Sequence, residues 1–283
     1  MKKIENAEIK NITTYKLKGS IKKLIIAESI DDLKEIIESL KGQKYKIIGN
    51  GSNLIISSSY DGTIIKLKGI DGLIVNGNVI KVGASYNLAK LSRECAKRGL
   101  SGLEFACGIP GTVGGAIYMN AGAYGKEMKD ITESVIALDE NGKRVTLTKD
   151  ELKFGYRNSI FKTKNYICLQ VKLKLKKDKK EDILKRINDI MKERREKQPL
   201  EYPSAGSVFR NPENDSAGRI IESLNLKGLK VGGAEVSEKH ANFIVNKGDA
   251  TAEDIIEIID KIKEKVKEKY YIELMCEQEI IKV

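Results

Sequence analysis

Histidine is nearly absent from the 283-residue chain, where His240 is the only one. Catalytic triads, imidazole relays and zinc sites built on several histidines are thereby excluded. His240 itself, in the stretch SEKHANFIVN, reads as a structural group or as a hydrogen bonder at the edge of a ligand. Cysteine is scarce too: Cys95, Cys107, Cys168 and Cys276 stand far apart, with no Cys-x-x-Cys spacing. They read as reduced, mostly buried thiols of a cytoplasmic protein, neither a disulfide framework nor a metal site. Long apolar runs are also missing. The N-terminal MKKIENAEIKN has basic residues but no apolar segment behind them, and nothing later approaches a membrane span. A soluble intracellular protein with no metal and no membrane partner is expected.

Charge, by contrast, is plentiful. Lysine and arginine number 51 against 40 aspartates and glutamates, a formal net charge of +11 and a pI near 9.2. That balance favours anionic partners. The basic residues are interleaved with acidic ones, however, and no RNA-binding or helix-turn-helix signature accompanies them, so the expected partner is a small phosphate-bearing ligand and not nucleic acid. The length suits two ordinary domains. An abrupt change of composition in KLKLKKDKKED, residues 172–182, divides the chain into 1–180 and 181–283.

Glycine is concentrated in one place. Six glycines fall within the eighteen residues of Gly108–Gly125, where average usage of roughly 7% would place about one. Such density suggests positive φ angles or a close approach to something, and successive N–H groups in a tight turn form a concave anion site. Thr112 and Asn120 are further candidate donors. A tightly packed turn explains the pattern equally well. A second loop, GNGSN at Gly49–Asn53, has Gly49 and Gly51 for unusual backbone angles and Asn50, Ser52 and Asn53 as donors. Hairpins also use such turns. Together the two loops would hold a diphosphate from two sides.

Periodicity predicts helices at 29–41 with Ser29 as N-cap, at 87–98, at 183–196, at 217–224, and at 252–269 with Thr251 as cap and Asp254 at its third position. Segments 131–138 and 144–148 flank Asp139-Glu-Asn-Gly142 as a hairpin, residues 166–175 and 241–245 read as strands, and 271–283 reads as strand-like. Three polar clusters remain. Arg157, beside Tyr156, offers a fork for carboxylate or phosphate, or else stacks on a neighbouring ring. Ser207 follows Gly206 in a proline-flanked turn that exposes a hydroxyl, or is an ordinary turn serine. Glu277 lies in an otherwise apolar terminal segment, needing a partner or facing outward.

In this order, GNGSNLI, GLEFACGIPGTVGGAIYMNAGAYG, FGYRNSIFK, QPLEYPSAGSVFRNP, AGRIIE and GLKVGGAEVSEKHANFIVN resemble the UDP-N-acetylenolpyruvoylglucosamine reductase (MurB) family over nearly the whole chain. The resemblance implies an α+β protein. Its FAD-binding domain is of the vanillyl-alcohol-oxidase (PCMH) type in two subdomains, followed by a smaller α+β substrate-binding domain. It implies FAD and NADPH as cofactors and a UDP-sugar as substrate. Hydride passes from NADPH to flavin N5 and then to the vinyl carbon of the enolpyruvyl group. A proton goes to the carbon bearing the carboxylate.

On the same resemblance, Gly49, Asn50, Gly51, Ser52 and Asn53 hold the FAD diphosphate with Gly108, Gly111, Thr112, Gly114, Gly115 and Ala116. Arg157 binds the substrate carboxylate, Glu277 lies nearby as a second polarising group, and Ser207 is the proton donor. Tyr156, Arg210, Asn211, His240 and Asn242 match positions near substrate or flavin. With no histidine before His240, the FAD is expected to be non-covalent, and the chain is expected to be a monomer. Arg210 stands where the family commonly has lysine, and Glu277-Gln278-Glu279 replaces the usual Glu-Val-Arg. The lack of an inserted tyrosine-bearing segment before Pro203 resembles the shorter subclass. Two other readings predict different behaviour. A hydroxyacid or sugar oxidase of the same fold would ignore NADPH, and a basic nucleotide- or nucleic-acid-binding protein would be colourless.

Overall fold

Side-chain caps start most of the helices, two of them at the predicted Ser29 and Thr251. In the computed structural model, which describes residues 1–282, helix α1 (Ile30–Ser39) begins at Ser29, whose hydroxyl accepts the Asp32 N–H at 3.0 Å. Asn87 does the same for α2 (Leu88–Lys97), accepting from Lys90 N at 2.8 Å. Helix α3 (Val113–Met119) lies inside the glycine-rich stretch and was not expected from its composition. Helix α4 (Lys180–Lys197) starts three residues before the predicted point, and α5 spans Ala217–Ser223. Helix α6 (Ala252–Tyr270) carries a reciprocal cap: Asp254 N donates to Thr251 Oγ1 at 3.1 Å, and Thr251 N donates to Asp254 Oδ2 at 2.9 Å.

The chain forms two compact units. The first comprises 1–3, 25–50 and 64–193, and the second 4–24, 51–63 and 194–283. Strands Ser20–Ala27 and Ser59–Leu67 each have residues in both.

The first unit is built on a five-stranded antiparallel sheet in the order Arg144–Thr148, Thr132–Leu138, Ile167–Lys174, Val79–Gly83, Leu73–Asn76. The expected hairpin is its first pair. Asp139 shapes that turn, its Oδ1 accepting from Asn141 N and Lys143 N, both at 2.9 Å. Val171 and Leu173 of the central strand pack with Ile80, Val82, Val135 and Ala137 against Leu88, Leu91 and Cys95 of α2 and Val113 and Ile117 of α3. A second cluster joins Leu33, Ile36 and Leu40 to Ile25, Ile65 and Leu169. Ile183 and Ile187 of α4 pack on Ala96 and Cys107.

In the second unit the strands Lys230–Val231, Ala234–Val236 and Ile244–Asn246 form an antiparallel sheet, and α6 packs on the first two. Its buried stripe is Ile255, Ile258, Ile259, Ile262 and Val266, the set predicted to face inward. Leu54–Ile56 pairs in parallel with Glu279–Ile281. The strand-like reading of 271–283 is therefore corrected. Within that stretch Glu279–Ile281 forms a strand and Cys276 makes an isolated bridge to Phe209, Tyr271 takes a left-handed φ of 57° at the end of α6, and Val283 lies outside the described residues. No helix among the described residues is long and apolar enough to cross a membrane.

Ile258 is fully buried on α6. Replacing Ile258 with alanine should lower unfolding free energy in urea by ~2–5 kcal/mol. A loss under about 1 kcal/mol, within the range of surface substitutions, would contradict this packing.

Candidate functional site

Gly49 and Asn50 of the first loop adjoin the second glycine-rich loop within the first unit. Asn50 Nδ2 donates to Pro110 O at 2.6 Å, and a Cβ on Gly49 would overlap Thr112 Oγ1. Gly49 is therefore required by close packing, without a positive φ, while Gly51 does take one, at 66°. Among the described residues the N–H groups of Asn50, Gly51 and Ser52 have no acceptor, a row of donors suited to an anion.

The second loop behaves differently. Thr112 caps α3, and the first N–H groups of that helix are all engaged. Val113 N donates to Tyr86 O at 2.9 Å, Gly114 N to Ala84 O at 2.8 Å and Gly115 N to Thr112 Oγ1 at 3.3 Å. A Cβ on Gly114 would sit 3.0 Å from that of Ala84, whereas Gly115 has nothing nearer than Thr112 Oγ1 at 3.5 Å. Asn120 is corrected as a ligand donor. It is fully buried, with Nδ2 donating to Gly155 O at 2.9 Å and Glu127 Oε2 at 3.1 Å, and Oδ1 accepting from Lys129 N at 2.9 Å.

What Asn120 holds is the turn that carries Arg157. Gly155 and Asn158 exchange backbone hydrogen bonds of 3.0 and 3.1 Å, leaving Tyr156 and Arg157 at the tip. Arg157 has a φ of 52°, uncommon for a side-chain-bearing residue and a mark of constraint by its surroundings. Its guanidinium donates to Gly122 O at 2.9 Å and lies 5.0 Å from the Tyr156 ring centroid. Ser159 Oγ anchors the far side on Tyr118 O at 2.8 Å. The glycine-rich stretch thus serves two loops, one beside Gly49 and one under Arg157.

Ser207 and Glu277 lie in the second unit, on neighbouring segments. Phe209 and Cys276 form an antiparallel bridge, Glu277 N donates to Val208 O at 2.8 Å, and Arg210 N donates to Met275 O at 2.9 Å. Asn53 Nδ2 donates to Glu277 O at 3.1 Å, and Glu279 N to Asn53 O at 2.9 Å, fixing that segment from the other side. Ser207 is half-buried, and its hydroxyl has no hydrogen-bond partner among the described residues. It follows Gly206, whose φ is 77° and whose missing Cβ would face open space. Arg210 Nε is buried without a partner, the condition of a cation that a ligand anion would satisfy.

Three other expected residues support backbone. Asn242 is buried and clamps Phe209 with both ends of its amide, Oδ1 accepting from Phe209 N and Nδ2 donating to Phe209 O, each at 2.9 Å. Asn211 Oδ1 accepts from Ala217 N at 3.1 Å at the start of α5. His240 Nδ1 accepts from Asn242 N at 3.2 Å, so its neutral form carries the proton on Nε2. Sequence reasoning missed Gln278 and Tyr15 in this unit; the only signal was the departure from Glu-Val-Arg. No cluster of three or more metal-ligating side chains occurs among the described residues.

Residues 21–148 match the FAD binding domain family, and residues 198–281 match the UDP-N-acetylenolpyruvoylglucosamine reductase C-terminal domain. Together they define a FAD-binding oxidoreductase with a dedicated C-terminal domain. A UDP-N-acetylenolpyruvoylglucosamine reductase of Caldanaerobacter subterraneus subsp. tengcongensis is 43% identical over 98% of this chain and 92% of its own length. One of Alkaliphilus oremlandii is 45% identical over 96% and 91%. The crystal structure of the Thermus caldophilus reductase aligns at a TM-score of 0.86, with 38% identity and 98% of both chains covered. The chain belongs to the UDP-N-acetylenolpyruvoylglucosamine reductase (MurB) family, the FAD- and NADPH-using enzymes of peptidoglycan precursor synthesis.

Burial holds the His240 imidazole below its ordinary pKa of 6.5, with Lys227 adding in the same direction. A depressed folded pKa means that the stability carried by neutral His240 is complete above pH 6.5 and is lost as pH falls through the folded value. The single imidazole signal in a proton NMR titration should have its midpoint below 6.5, and wild type should lose urea stability relative to His240→Gln as pH falls from 6.5 to 5. A midpoint at or above 6.5 would contradict the assignment.

Proposed function

We propose that Arg157, Ser207 and Glu277 carry out the reduction of the enolpyruvyl UDP-sugar to UDP-N-acetylmuramate, within a FAD-binding domain at 1–180 and a substrate-binding domain at 181–283. Bound FAD supplies the redox chemistry, passing a hydride from NADPH to the terminal vinyl carbon of the substrate. Negative charge then accumulates on the substrate carboxylate. Arg157 binds that carboxylate through its planar fork, and Glu277 adds a second polarising group, so the charge develops against fixed donors. Ser207 gives its proton to the carbon bearing the carboxylate and recovers one through water. A hydroxyl is a weak acid, and only a strongly basic carbon takes its proton.

The observation that carries this reading is the unpartnered Ser207 hydroxyl, held half-buried on backbone that is itself hydrogen-bonded on both sides. Tyr156, Arg210, Asn211, His240 and Asn242 complete the substrate side. Of these, Arg210 meets an anion directly, and Asn242 and Asn211 hold the loops that present it. For the FAD diphosphate, the free N–H groups of Asn50, Gly51 and Ser52 fit the role, with Asn53 beside them. Around Gly108, Gly111, Thr112, Gly114, Gly115 and Ala116 the fit comes from small size, since the α3 N–H groups already have acceptors.

The FAD is non-covalent in this reading: the only histidine falls outside 1–180, and burial pushes the Cys95 and Cys168 thiols up to about 12. The enzyme works as a cytoplasmic monomer.

Anaerobic visible spectra test the proposal. The purified protein should be yellow, bleach with NADPH and recover its colour with the enolpyruvyl substrate. Yellow protein indifferent to NADPH would favour an oxidase, and protein that stays colourless with FAD would remove the cofactor site. Ser207→Ala should leave NADPH-driven bleaching intact and slow recolouring at least about 100-fold, the lower end for losing a general acid. Normal recolouring would end the role given to Ser207.

A further inference from the structure

We propose that the Gln278 side chain is the positioning residue for Ser207, locking the backbone that presents its hydroxyl. The inference rests on the proton-donor reading of Ser207. Gln278 is 3% exposed, and its amide faces three polar groups at once. Nε2 donates to Ala205 O at 3.2 Å and to Gly206 O at 3.1 Å, the two carbonyls immediately before Ser207. Oε1 accepts from the hydroxyl of fully buried Tyr15 at 3.1 Å. The amide can take only one orientation, because reversing it would set Oε1 against two carbonyl oxygens and leave the Tyr15 hydroxyl facing an NH2. Tyr15 therefore fixes Gln278, and Gln278 fixes the peptide groups on either side of Gly206.

Those peptide groups have little other support. Ser204 O accepts from Thr14 Oγ1 at 2.7 Å, and Pro203 O accepts from Asn246 N at 2.9 Å. Each of the four carbonyls of 203–206 thus has a hydrogen-bond partner, two of them supplied by Gln278 alone. Gly206, with its φ of 77° and no neighbour within 4 Å of a Cβ, is the flexible joint in this segment, and Gln278 grips both sides of it. An apolar residue at 278 fills the volume but leaves two carbonyls and a phenol buried and unpaired, and the joint relaxes. Since a misplacement of about 1 Å can cost on the order of 100-fold in rate, the position of the Ser207 oxygen is sensitive to that joint.

The test uses the full-length holoenzyme and measures the two half-reactions separately. Gln278→Met, similar in volume but unable to donate, should leave NADPH-driven bleaching within about twofold while slowing substrate-driven recolouring about 10–100-fold. The solvent deuterium isotope effect on recolouring should rise, and amide hydrogen exchange in the segment 203–209 should quicken. Tyr15→Phe, which frees Oε1 without emptying the pocket, should show the same split more weakly and serves if Gln278→Met does not fold. Adding Gln278→Met to Ser207→Ala should slow recolouring no further. Unchanged recolouring in Gln278→Met and Tyr15→Phe, or equal slowing of both half-reactions, would overturn the role of Gln278 while a crippled Ser207→Ala kept the donor reading intact. Normal recolouring in Ser207→Ala would overturn the donor reading and this inference with it.

Discussion

Buried backbone that belongs to no helix or strand must find its hydrogen bonds elsewhere, and both candidate catalytic loops depend on that requirement. Four carboxamides meet it. Asn120 holds Gly155 and Lys129, Asn242 clamps both polar groups of Phe209, Asn246 donates to Tyr15 O and Lys16 O while accepting from Gly248 N and Ala250 N, and Gln278 takes the carbonyls of Ala205 and Gly206. All four are at most 6% exposed. An amide can donate at one end and accept at the other, which lets a single side chain substitute for a strand neighbour. The candidate side chains Arg157 and Ser207 are in this way set on irregular chain whose position is nonetheless determined.

The regular elements serve as mounts for these loops. In the first unit the sheet around Ile167–Lys174 buries α2 and α3, and the chain leaving α3 turns at left-handed Asn120 toward the stretch beneath Arg157. In the second, α6 covers Lys230–Val231 and Ala234–Val236, and the strand beside them ends in Asn246, whose amide ties that edge to Tyr15 and Lys16. Packing energy is collected in one place and used to constrain backbone in another.

Much of this was legible in the sequence because caps and periodicity are local signals. Ser29 and Thr251 announced their helices, and Asp139–Gly142 its hairpin. Helix α3 was hidden because Gly114 and Gly115 argue against helix; close packing on Ala84, a long-range contact, outweighs that preference. The terminal segment misled for a similar reason: its apolar residues resemble one long strand, yet its pairing is split between an isolated bridge at Cys276 to Phe209 and the short strand Glu279–Ile281 on Leu54–Ile56. Among candidate site residues, Arg157, Ser207 and Glu277 drew notice by their chemistry. Asn120 and Gln278 looked like a loop donor and a family departure, since what they hold lies tens to hundreds of residues away.

The tie between Asn53 and the segment of Glu277 bears on how the protein is made. The two residues are 224 positions apart and bonded at 3.1 Å, so Asn53 leaves the ribosome long before its partner is synthesised. At roughly 5–20 residues per second the interval is about 10–45 s. Throughout that time the GNGSN loop lacks one of its anchors, and once made, Gly206 waits a further 72 residues for Gln278. Until Glu277 and Gln278 are made, a nascent chain can hold its folded first sheet but not the ties that fix the GNGSN loop and the backbone before Ser207.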